Sequence, residues 1–257
     1  MLEEPKVSLK LLDDVLEKGE RYGLIRFGSC TEIVMPRNVD VLVKKGDKVA
    51  GTRIIPLVIE KEKMDAAEKA TGNLPIFDIL PYQQKKVGIV TTGSEIKKGL
   101  IQDTFTPVLR EKLSGFPTEV TGQVMPGDDK EEITKAILSF ADAGADLIIC
   151  TGGMSVDPDD RTPGGIRDTG AKIVTYGAPV LPGAMFLLSY YREEIPIVGL
   201  PGCVMYAKRT IFGLVLPRIM CDEKLHEKDF RLLGQGGLCL SCPVCTFPNC
   251  GFGKGGY

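Results

Sequence analysis

The residues best suited to chemistry lie in one glycine-containing stretch near the middle of the chain. Its central part is Thr151-Gly152-Gly153, and Ser155 adds a further hydroxyl two residues later. Adjacent glycines let the backbone adopt positive φ and let a ligand come close to the main-chain amides. Amides and hydroxyls presented by such a loop suit an anion. The stretch therefore predicts an anion-binding site.

Carboxylates follow the two glycines within a few residues. Asp157, Asp159 and Asp160 precede Thr162-Pro163, a pair suited to opening a helix. Proteins hold Mg²⁺ with a few carboxylates together with ligand phosphates, so this cluster is a candidate magnesium site. The alternative is a tight turn between a strand and a helix, with a solvated acidic rim.

The elements around this stretch predict an α/β fold with a doubly wound, mostly parallel sheet. Residues 147–150 are apolar at every position, which is the pattern of a strand covered on both faces. Strands and helices then alternate along the chain, and such sheets bind ligands at the carboxyl ends of their strands. We predict strands at 87–91, 119–124, 147–150, 172–175 and 196–200, and helices at 103–113, 130–142, from 164 onward and at 204–219.

Composition divides the chain into three parts. Residues 1–84 contain short β-type runs separated by turn residues and then a charged helix at 61–70, so we predict a small β-rich N-terminal lobe with a linker. Residues 85–225 carry the α/β pattern. Residues 226–257 are the third part, which we predict to be a Cys-rich C-terminal tail, because from residue 234 onward the chain holds many glycines and little hydrophobic periodicity.

The overall composition is ordinary for a globular protein and argues against several functional classes. A formal net charge of −2 provides no basic surface for nucleic acid or for an acidic membrane. No apolar run reaches the roughly 18–20 residues of a membrane span, and the N-terminus has no signal-peptide pattern. We therefore expect a cytoplasmic protein. His226 is the one histidine, and we assign it no catalytic role.

Four of the eight cysteines crowd into the tail. In a reducing compartment such a cluster predicts a metal site rather than a disulfide framework. The spacing C-x₂-C-x₂-C-x₄-C is close to the ferredoxin pattern of iron–sulfur proteins, and four thiolates also suit tetrahedral Zn²⁺. An iron–sulfur cluster, a zinc ion and an unmetallated or redox-active tail are all open. The four candidate ligands are Cys239, Cys242, Cys245 and Cys250.

The central stretch resembles the signature Thr-Gly-Gly-x-x-x-x-Pro-x-Asp-x-Thr-Pro of the molybdopterin-binding domain shared by the Mog/MoaB and MoeA proteins. The resemblance covers about 85–222, because five further motifs occur in order at the ends of predicted strands. These motifs are Thr92-Gly93-Ser94-Glu95, Asp103-Thr104, Asp128-Asp129, Pro182-Gly183 and Gly199-Leu200-Pro201-Gly202. Capping of the following helix is the alternative role for Asp128 and Asp129.

The resemblance implies molybdopterin, or its adenylylated form, as the ligand. Gly152, Gly153 and Ser155 would hold its phosphates, and Pro201-Gly202 would let the backbone approach the pterin or adenine ring. The other implied cofactor-binding residues are Thr92, Gly93, Thr151, Thr162, Pro182 and Gly183. Mg²⁺ and molybdate would be placed by four carboxylates, with Glu95, Asp128 and Asp160 as catalytic groups and Asp103 and Asp160 as metal ligands. The implied reaction cleaves adenylylated molybdopterin and transfers molybdate to its dithiolene, chiefly by positioning and metal ions.

Three departures from the family pattern bear on activity. Ala184-Met185 follow Pro182-Gly183, where MoeA-type proteins carry a Lys and then a Pro, and Cys203-Val204 replace an Asn-Pro pair. The N-terminal lobe also lacks the Asp-Gly-(Tyr/Phe)-Ala segment of those proteins. An inert thiol is the simplest interpretation of Cys203, although its position would also suit a soft metal ligand.

Two functional hypotheses follow. The first is a transferase of molybdenum cofactor biosynthesis that inserts molybdate with the help of magnesium. The second is a non-catalytic carrier or sensor that delivers molybdopterin to a molybdoenzyme. An unrelated nucleotide-binding domain ranks last, because the chain has no P-loop and no G-x-G-x-x-G after the first strand of its α/β part. The resemblance also implies a homo-oligomer.

Overall fold

The computed structural model separates the chain into two compact units, Met1–Tyr82 and Gln83–Tyr257. The residues that the structure describes are 22–27, 60–62, 65, 77–97, 99–100, 102–155, 157 and 160–254. In the first unit, β1 (Tyr22–Phe27) pairs with β2 (Phe77–Pro81) in antiparallel fashion. The other strands predicted for the N-terminal lobe, and most of the charged helix at 61–70, lie outside the described residues.

The second unit contains a mixed six-stranded sheet of order β4-β3-β5-β8-β7-β6. Strands β3, β4, β5 and β8 are parallel, whereas β7 runs antiparallel to both of its neighbours. The prediction of an α/β fold with a mostly parallel sheet is therefore confirmed. The six strands are β3 (Lys85–Thr91), β4 (Thr118–Val124), β5 (Leu147–Thr151), β6 (Lys172–Tyr176), β7 (Leu187–Tyr191) and β8 (Ile195–Leu200).

Helices connect these strands. They are α1 (Ser94–Lys97), α2 (Phe105–Leu113), α3 (Lys130–Asp142), α4 (Thr162–Asp168), α5 (Cys203–Tyr206), α6 (Ile211–Met220) and α7 (Glu227–Leu232). Among the described residues, no helix combines the length and the hydropathy needed to cross a lipid bilayer.

The core lies where the central strands meet α3. All five residues of β5 are buried, as expected for a strand with neighbours on both sides and covered faces. The buried face of α3 includes Ile133 and Phe140. A Cβ atom at Gly88 would lie 2.4 Å from Cγ of Phe140, so the glycine lets α3 approach β3 closely. This packing fixes the sheet edge from which the loops predicted to bind a ligand extend.

Two of the sequence predictions need correction. Strand β7 was not predicted; it pairs with β8 through a turn in which Arg192 and Glu193 have φ of 50° and 62°. The helix predicted at 204–219 is divided into α5 and α6. The division occurs because Thr210 is extended and the amide of Ile211 donates to the carbonyl of Pro182 at 3.2 Å, so the helix begins again there.

Candidate functional site

The Thr-Gly-Gly loop leaves the carboxyl end of β5 and passes close to the end of β3. Gly152 has φ of 82°, and a Cβ atom there would lie 2.3 Å from the carbonyl oxygen of Thr92. Gly153 has φ of 49°. The amides of these two glycines have no acceptor among the described residues. Close approach and backbone conformation therefore both require glycine at 152, and the loop presents unpaired amides.

Two buried threonines hold this loop in place. The hydroxyl of Thr162 donates to the carbonyl of Gly152 at 2.8 Å and lies 2.9 Å from the hydroxyl of Thr92. The amide of Thr92 donates to the carbonyl of Thr151 at 2.8 Å. Thr92 and Thr162 are 2% and 0% exposed, so these are interior contacts. The predicted cofactor-binding threonines therefore position the loop, because their hydroxyls are already engaged.

Asp160 closes the far end of the same loop. Its Oδ2 atom accepts hydrogen bonds from the amide and the hydroxyl of Ser155, at 2.6 and 2.8 Å. The Tyr176 hydroxyl donates to the carbonyl of Ser155 at 3.4 Å. Partial burial, followed by the charge of Asp160, raises the pKa of Tyr176 above its ordinary value. The structure thus places Ser155 and Asp160 together, with one carboxylate oxygen used to shape the loop.

Asp128 ties the loop before α3 to the turn after β3. Its Oδ2 atom accepts from the amide of Ser94 at 2.8 Å. Asp129 is the N-cap of α3 and accepts from the amide of Glu132 at 2.9 Å. Capping, the alternative given for this pair, therefore describes Asp129, while Asp128 reaches across to the neighbouring loop. Glu95 is exposed on α1 beside Gly93, which is half-buried.

Asp103 stands just before α2. Its Oδ1 atom accepts from the amides of Phe105 and Thr106, and its Oδ2 atom accepts from Gln123 at 2.6 Å. Gln123 also donates to the hydroxyl of Thr91 at 3.1 Å, which links the ends of β3 and β4. Partial burial alone would raise the pKa of Asp103, but these hydrogen bonds outweigh it and leave the pKa below the usual value.

The predicted carboxylates lie around the strand ends but do not form a preformed metal-binding site. Among the described residues, no three His, Cys, Asp or Glu side chains come together as a metal-binding group. These carboxylates are held at separate places: Asp103 accepts from the start of α2, Asp128 from the start of α1, and Asp160 from its own loop. One or two of them could bind Mg²⁺ only if phosphates of the ligand supplied further oxygen donors.

An open cleft of about 550 Å³ adjoins the Thr-Gly-Gly loop. It brings together the predicted Ser155, the Pro182-Gly183 turn and Pro201-Gly202, the last from the carboxyl end of β8. Burial raises the pKa of the Cys203 thiol, which also lines the cleft. None of the described residues that line the cleft carries a charge. The lining residues are Met154, Ser155, Leu181, Pro182, Gly183, Ala184, Met185, Pro201, Gly202, Cys203, Leu238 and Cys239.

The Cys-rich tail forms one wall of this cleft. The amide of Leu181 donates to the carbonyl of Gly237 at 2.7 Å, and the amide of Cys239 donates back to the carbonyl of Leu181 at 2.8 Å. A Cβ atom at Gly237 would lie 2.2 Å from the carbonyl oxygen of Pro179, so this contact needs glycine. Backbone hydrogen bonds therefore hold the tail against the Pro182-Gly183 turn.

The four tail cysteines do not share one site in this structure. Cys239 lines the cleft, whereas the Cys245 sulfur accepts from Nε of Arg209 at 3.4 Å. The hydrogen bond from Arg209 and one from the amide of Phe247 lower the pKa of Cys245. Cys242 is exposed, and Cys250 is half-buried. The iron–sulfur or zinc site predicted from the spacing is not formed by the described residues.

The sequence prediction missed several residues that shape the site. Gln123 is a polar residue near the carboxyl end of β4, and that position could have singled it out. Leu181 and Leu238 are 56% and 59% exposed at the edge of the cleft, and their backbones pair as a single parallel β-bridge outside the sheet. No local pattern indicates that pairing, because it joins residues far apart in the chain.

Comparison with known proteins places residues 88–220 in a family. The family described as "Probable molybdopterin binding domain" matches residues 88–220, which is more than half of the chain. The molybdopterin molybdenumtransferase of Haemophilus influenzae is 29% identical over 192 residues, covering 71% of this chain and 45% of that protein. A putative competence-damage inducible protein of Streptococcus pneumoniae is 27% identical over 189 residues, covering 59% of this chain and 44% of that protein. The chain thus spans less than half the length of these curated relatives.

A second family match concerns the N-terminal lobe. Residues 6–55 match the family described as "Phosphatidylserine decarboxylase". The phosphatidylserine decarboxylase proenzyme of Symbiobacterium thermophilum is 48% identical over 50 residues, covering 19% of this chain and 23% of that protein. Nearly all of this segment lies outside the described residues.

Solved structures also match about half of the chain. The molybdopterin biosynthesis enzyme MoaB of Thermus thermophilus is 24% identical and covers 56% of this chain and 99% of its own, with a TM-score of 0.44. The tungsten cofactor synthesizing protein MoaB of Pyrococcus furiosus is 23% identical and covers 52% of this chain and 90% of its own, with a TM-score of 0.42. The resemblance noted in the motifs is confirmed by the family match over 88–220: the chain belongs to the family of molybdopterin-binding domains of molybdenum cofactor biosynthesis.

Proposed function

We propose that this chain binds molybdopterin, or its adenylylated form, at the carboxyl ends of β3, β5 and β8, as a protein of molybdenum cofactor biosynthesis. The observation that carries this proposal is the loop at Gly152-Gly153. Thr162 and Asp160 hold it in a conformation in which two amides have no acceptor in the described part of the chain. It lies next to an open cleft whose described lining residues carry no charge. Family membership supplies the ligand class.

The two halves of the site suit the two halves of the ligand. The amides of Gly152 and Gly153 are donors of the kind that bind a phosphate, whereas the hydroxyl of Ser155 already donates to Asp160. The cleft suits a flat heteroaromatic ring, because its lining is apolar. Gly202 leaves open space where a side chain would stand, with no heavy atom within 4 Å of the position of a Cβ atom. A pterin or adenine ring can therefore approach the backbone there.

Within this site we assign molybdate insertion as the first catalytic hypothesis. Glu95 is exposed, and Asp128 and Asp160 are acidic residues at the same sheet edge, so they can hold Mg²⁺ together with ligand phosphates. When bound, Mg²⁺ would neutralise the phosphate charge. The protein would contribute positioning, because its loops fix the adenylylated ligand beside the incoming molybdate. Asp103, held by Gln123 and two amides, is a positioning residue in this scheme.

A carrier or sensor is the second candidate, and one observation favours it. Ala184-Met185 line the cleft, so the position after Pro182-Gly183 offers no cation to an oxyanion. In addition, Asp128 and Asp160 already accept hydrogen bonds from the protein. Both features are compatible with binding of the ligand, and neither contributes to turnover.

Release of AMP separates the two candidates. The full chain is incubated anaerobically with adenylylated molybdopterin, Mg²⁺ and molybdate, and AMP is measured over time. Molybdate-dependent release identifies an insertion enzyme, and Asp160→Asn should then lose turnover while it still binds the ligand. Tight binding without release identifies a carrier. Absence of binding by the folded protein contradicts both candidates.

A further inference from the structure

Two thiols from distant parts of the chain line the same cleft. Cys203 opens α5 directly after β8, and Cys239 belongs to the tail. Both are half-buried. Backbone hydrogen bonds set the position of Cys239. Its amide donates to the carbonyl of Leu181 at 2.8 Å, and the amide of Leu181 donates to the carbonyl of Gly237. The fold therefore brings the two cysteines into one cavity without a covalent link between them.

Sulfur groups, which are soft ligands for metal ions, line the cleft. Besides the two thiols, the thioether residues Met154 and Met185 line it, and Ser155 supplies a hydroxyl. Met154 is 3% exposed and packs against Gly199, which leaves the half-buried Met185 as the available thioether. Among the described residues, none that lines the cleft carries a carboxylate, an amine or an imidazole. Hard ions such as Mg²⁺ need oxygen ligands, whereas thiolates and thioethers select soft ions such as Cu⁺.

We propose that this cleft is a binding site for a thiophilic monovalent metal ion, with Cys203 and Cys239 as thiolate ligands and the Met185 sulfur as a third donor. Each thiol releases its proton to solvent as its metal–sulfur bond forms, so no oxidant or reductant takes part. The site goes beyond the proposed molybdopterin binding and requires no pterin. It also excludes the four-cysteine tail site, because Cys239 serves only one of the two.

Cu⁺ is the probe that tests this proposal on the full chain. Under anaerobic conditions the protein receives one equivalent of Cu⁺ from a competing chelator, and the rate of alkylation of each cysteine by iodoacetamide is followed by peptide mass spectrometry. We expect Cys203 and Cys239 to be protected together. Protection of Cys242, Cys245 and Cys250 with Cys203 still reactive overturns the proposal, because the metal would then lie in the tail.

Variants give an independent measure of the same site. Cys203→Ser and Cys239→Ser should each weaken Cu⁺ binding by more than the roughly 10–100-fold that the loss of an outer-sphere partner costs. Cys242→Ser is the matched control, because Cys242 is an exposed tail thiol outside the cleft lining. Unchanged affinity in both cleft variants overturns the proposal. Circular dichroism confirms folding, and the protection experiment on the unmodified protein needs no variant.

Discussion

Replacing Gly152 by alanine is the perturbation that tests the loop geometry most sharply. The residue has φ of 82°, and its new Cβ atom would lie 2.3 Å from the carbonyl oxygen of Thr92. Gly144 provides a matched control, because it has φ of 80° and no heavy atom within 4 Å of the position of a Cβ atom. Both substitutions add the same methyl group, and the two φ angles differ by only 2°. Their difference therefore isolates the contact with Thr92.

The expected magnitudes follow from these two terms. A non-glycine residue at left-handed φ costs about 1–2 kcal/mol, and this cost applies to both variants. Overpacking adds about 1–3 kcal/mol, and it applies only at Gly152, where backbone rather than a flexible side chain is struck. We expect Gly144→Ala to lose about 1–2 kcal/mol of unfolding free energy. Gly152→Ala should lose about 1–3 kcal/mol more than that.

Urea denaturation measures this difference. The chain has no tryptophan, so far-UV circular dichroism is the signal. With a denaturant slope of about 2 kcal/mol/M, the midpoint of Gly152→Ala should lie about 0.5–1.5 M below that of Gly144→Ala. Molybdopterin binding should also be lost in Gly152→Ala and kept in Gly144→Ala. Equal midpoints for the two variants would refute the close approach of the loop to Thr92.

Three further predictions concern single contacts. Thr162→Val should lower the free energy of unfolding by about 1–3 kcal/mol, because it leaves the Gly152 carbonyl without its buried donor. Thr169→Val removes a buried hydroxyl at the other end of α4, so it should cost a similar amount but leave molybdopterin binding intact. Equal effects of the two variants on binding would count against a role of Thr162 in holding the loop. The folded-state pKa of Asp103 is lowered, so the stability that its carboxylate contributes is complete above its ordinary pKa of 3.8 and disappears as pH falls through the lower folded value. The urea midpoints of the wild type and Asp103→Asn should therefore differ at pH 7 and converge in acid. A difference that stays constant with pH would contradict this. Arg209→Gln should move the pH midpoint of Cys245 alkylation upward, since the Arg209 hydrogen bond lowers the pKa of Cys245. An unchanged midpoint in a pH series of alkylation rates would show that Arg209 does not lower this pKa.

Local signals in the sequence were sufficient for the central part of the fold. Helix α3 was predicted with its observed bounds, Lys130–Asp142, because a capping aspartate precedes a regular apolar face. Strand β5 was predicted within one residue because it is apolar at every position. Both elements carry their own boundary signals, so no tertiary information was needed.

Elements that depend on long-range contacts were missed or misjudged. The turn before β8 has positive φ at Arg192 and Glu193, where the usual glycine or asparagine signal is absent. The break before α6 depends on the hydrogen bond of the Ile211 amide to Pro182, which an apolar helical pattern does not reveal. Tertiary pairing overrides local propensity in both cases.

The candidate site shows the same division. Motif order at the strand ends predicted a binding loop at Gly152-Gly153 and further binding residues at Pro182-Gly183 and Pro201-Gly202. The structure brings the last two turns together in one cleft. The spacing of the tail cysteines predicted a shared metal site, but the structure distributes them, with Cys239 in the cleft and Cys245 beside Arg209. Spacing along the chain does not report the backbone pairing that docks the tail on Leu181.

Anaerobic equilibrium binding of molybdopterin to the full chain tests the central claim most directly. The account predicts one ligand per chain for the wild type and for Gly144→Ala, with binding lost in Gly152→Ala at temperatures where that variant is still folded. Absence of binding by the folded wild type, or equal affinity in all three proteins, would contradict a molybdopterin site at this loop.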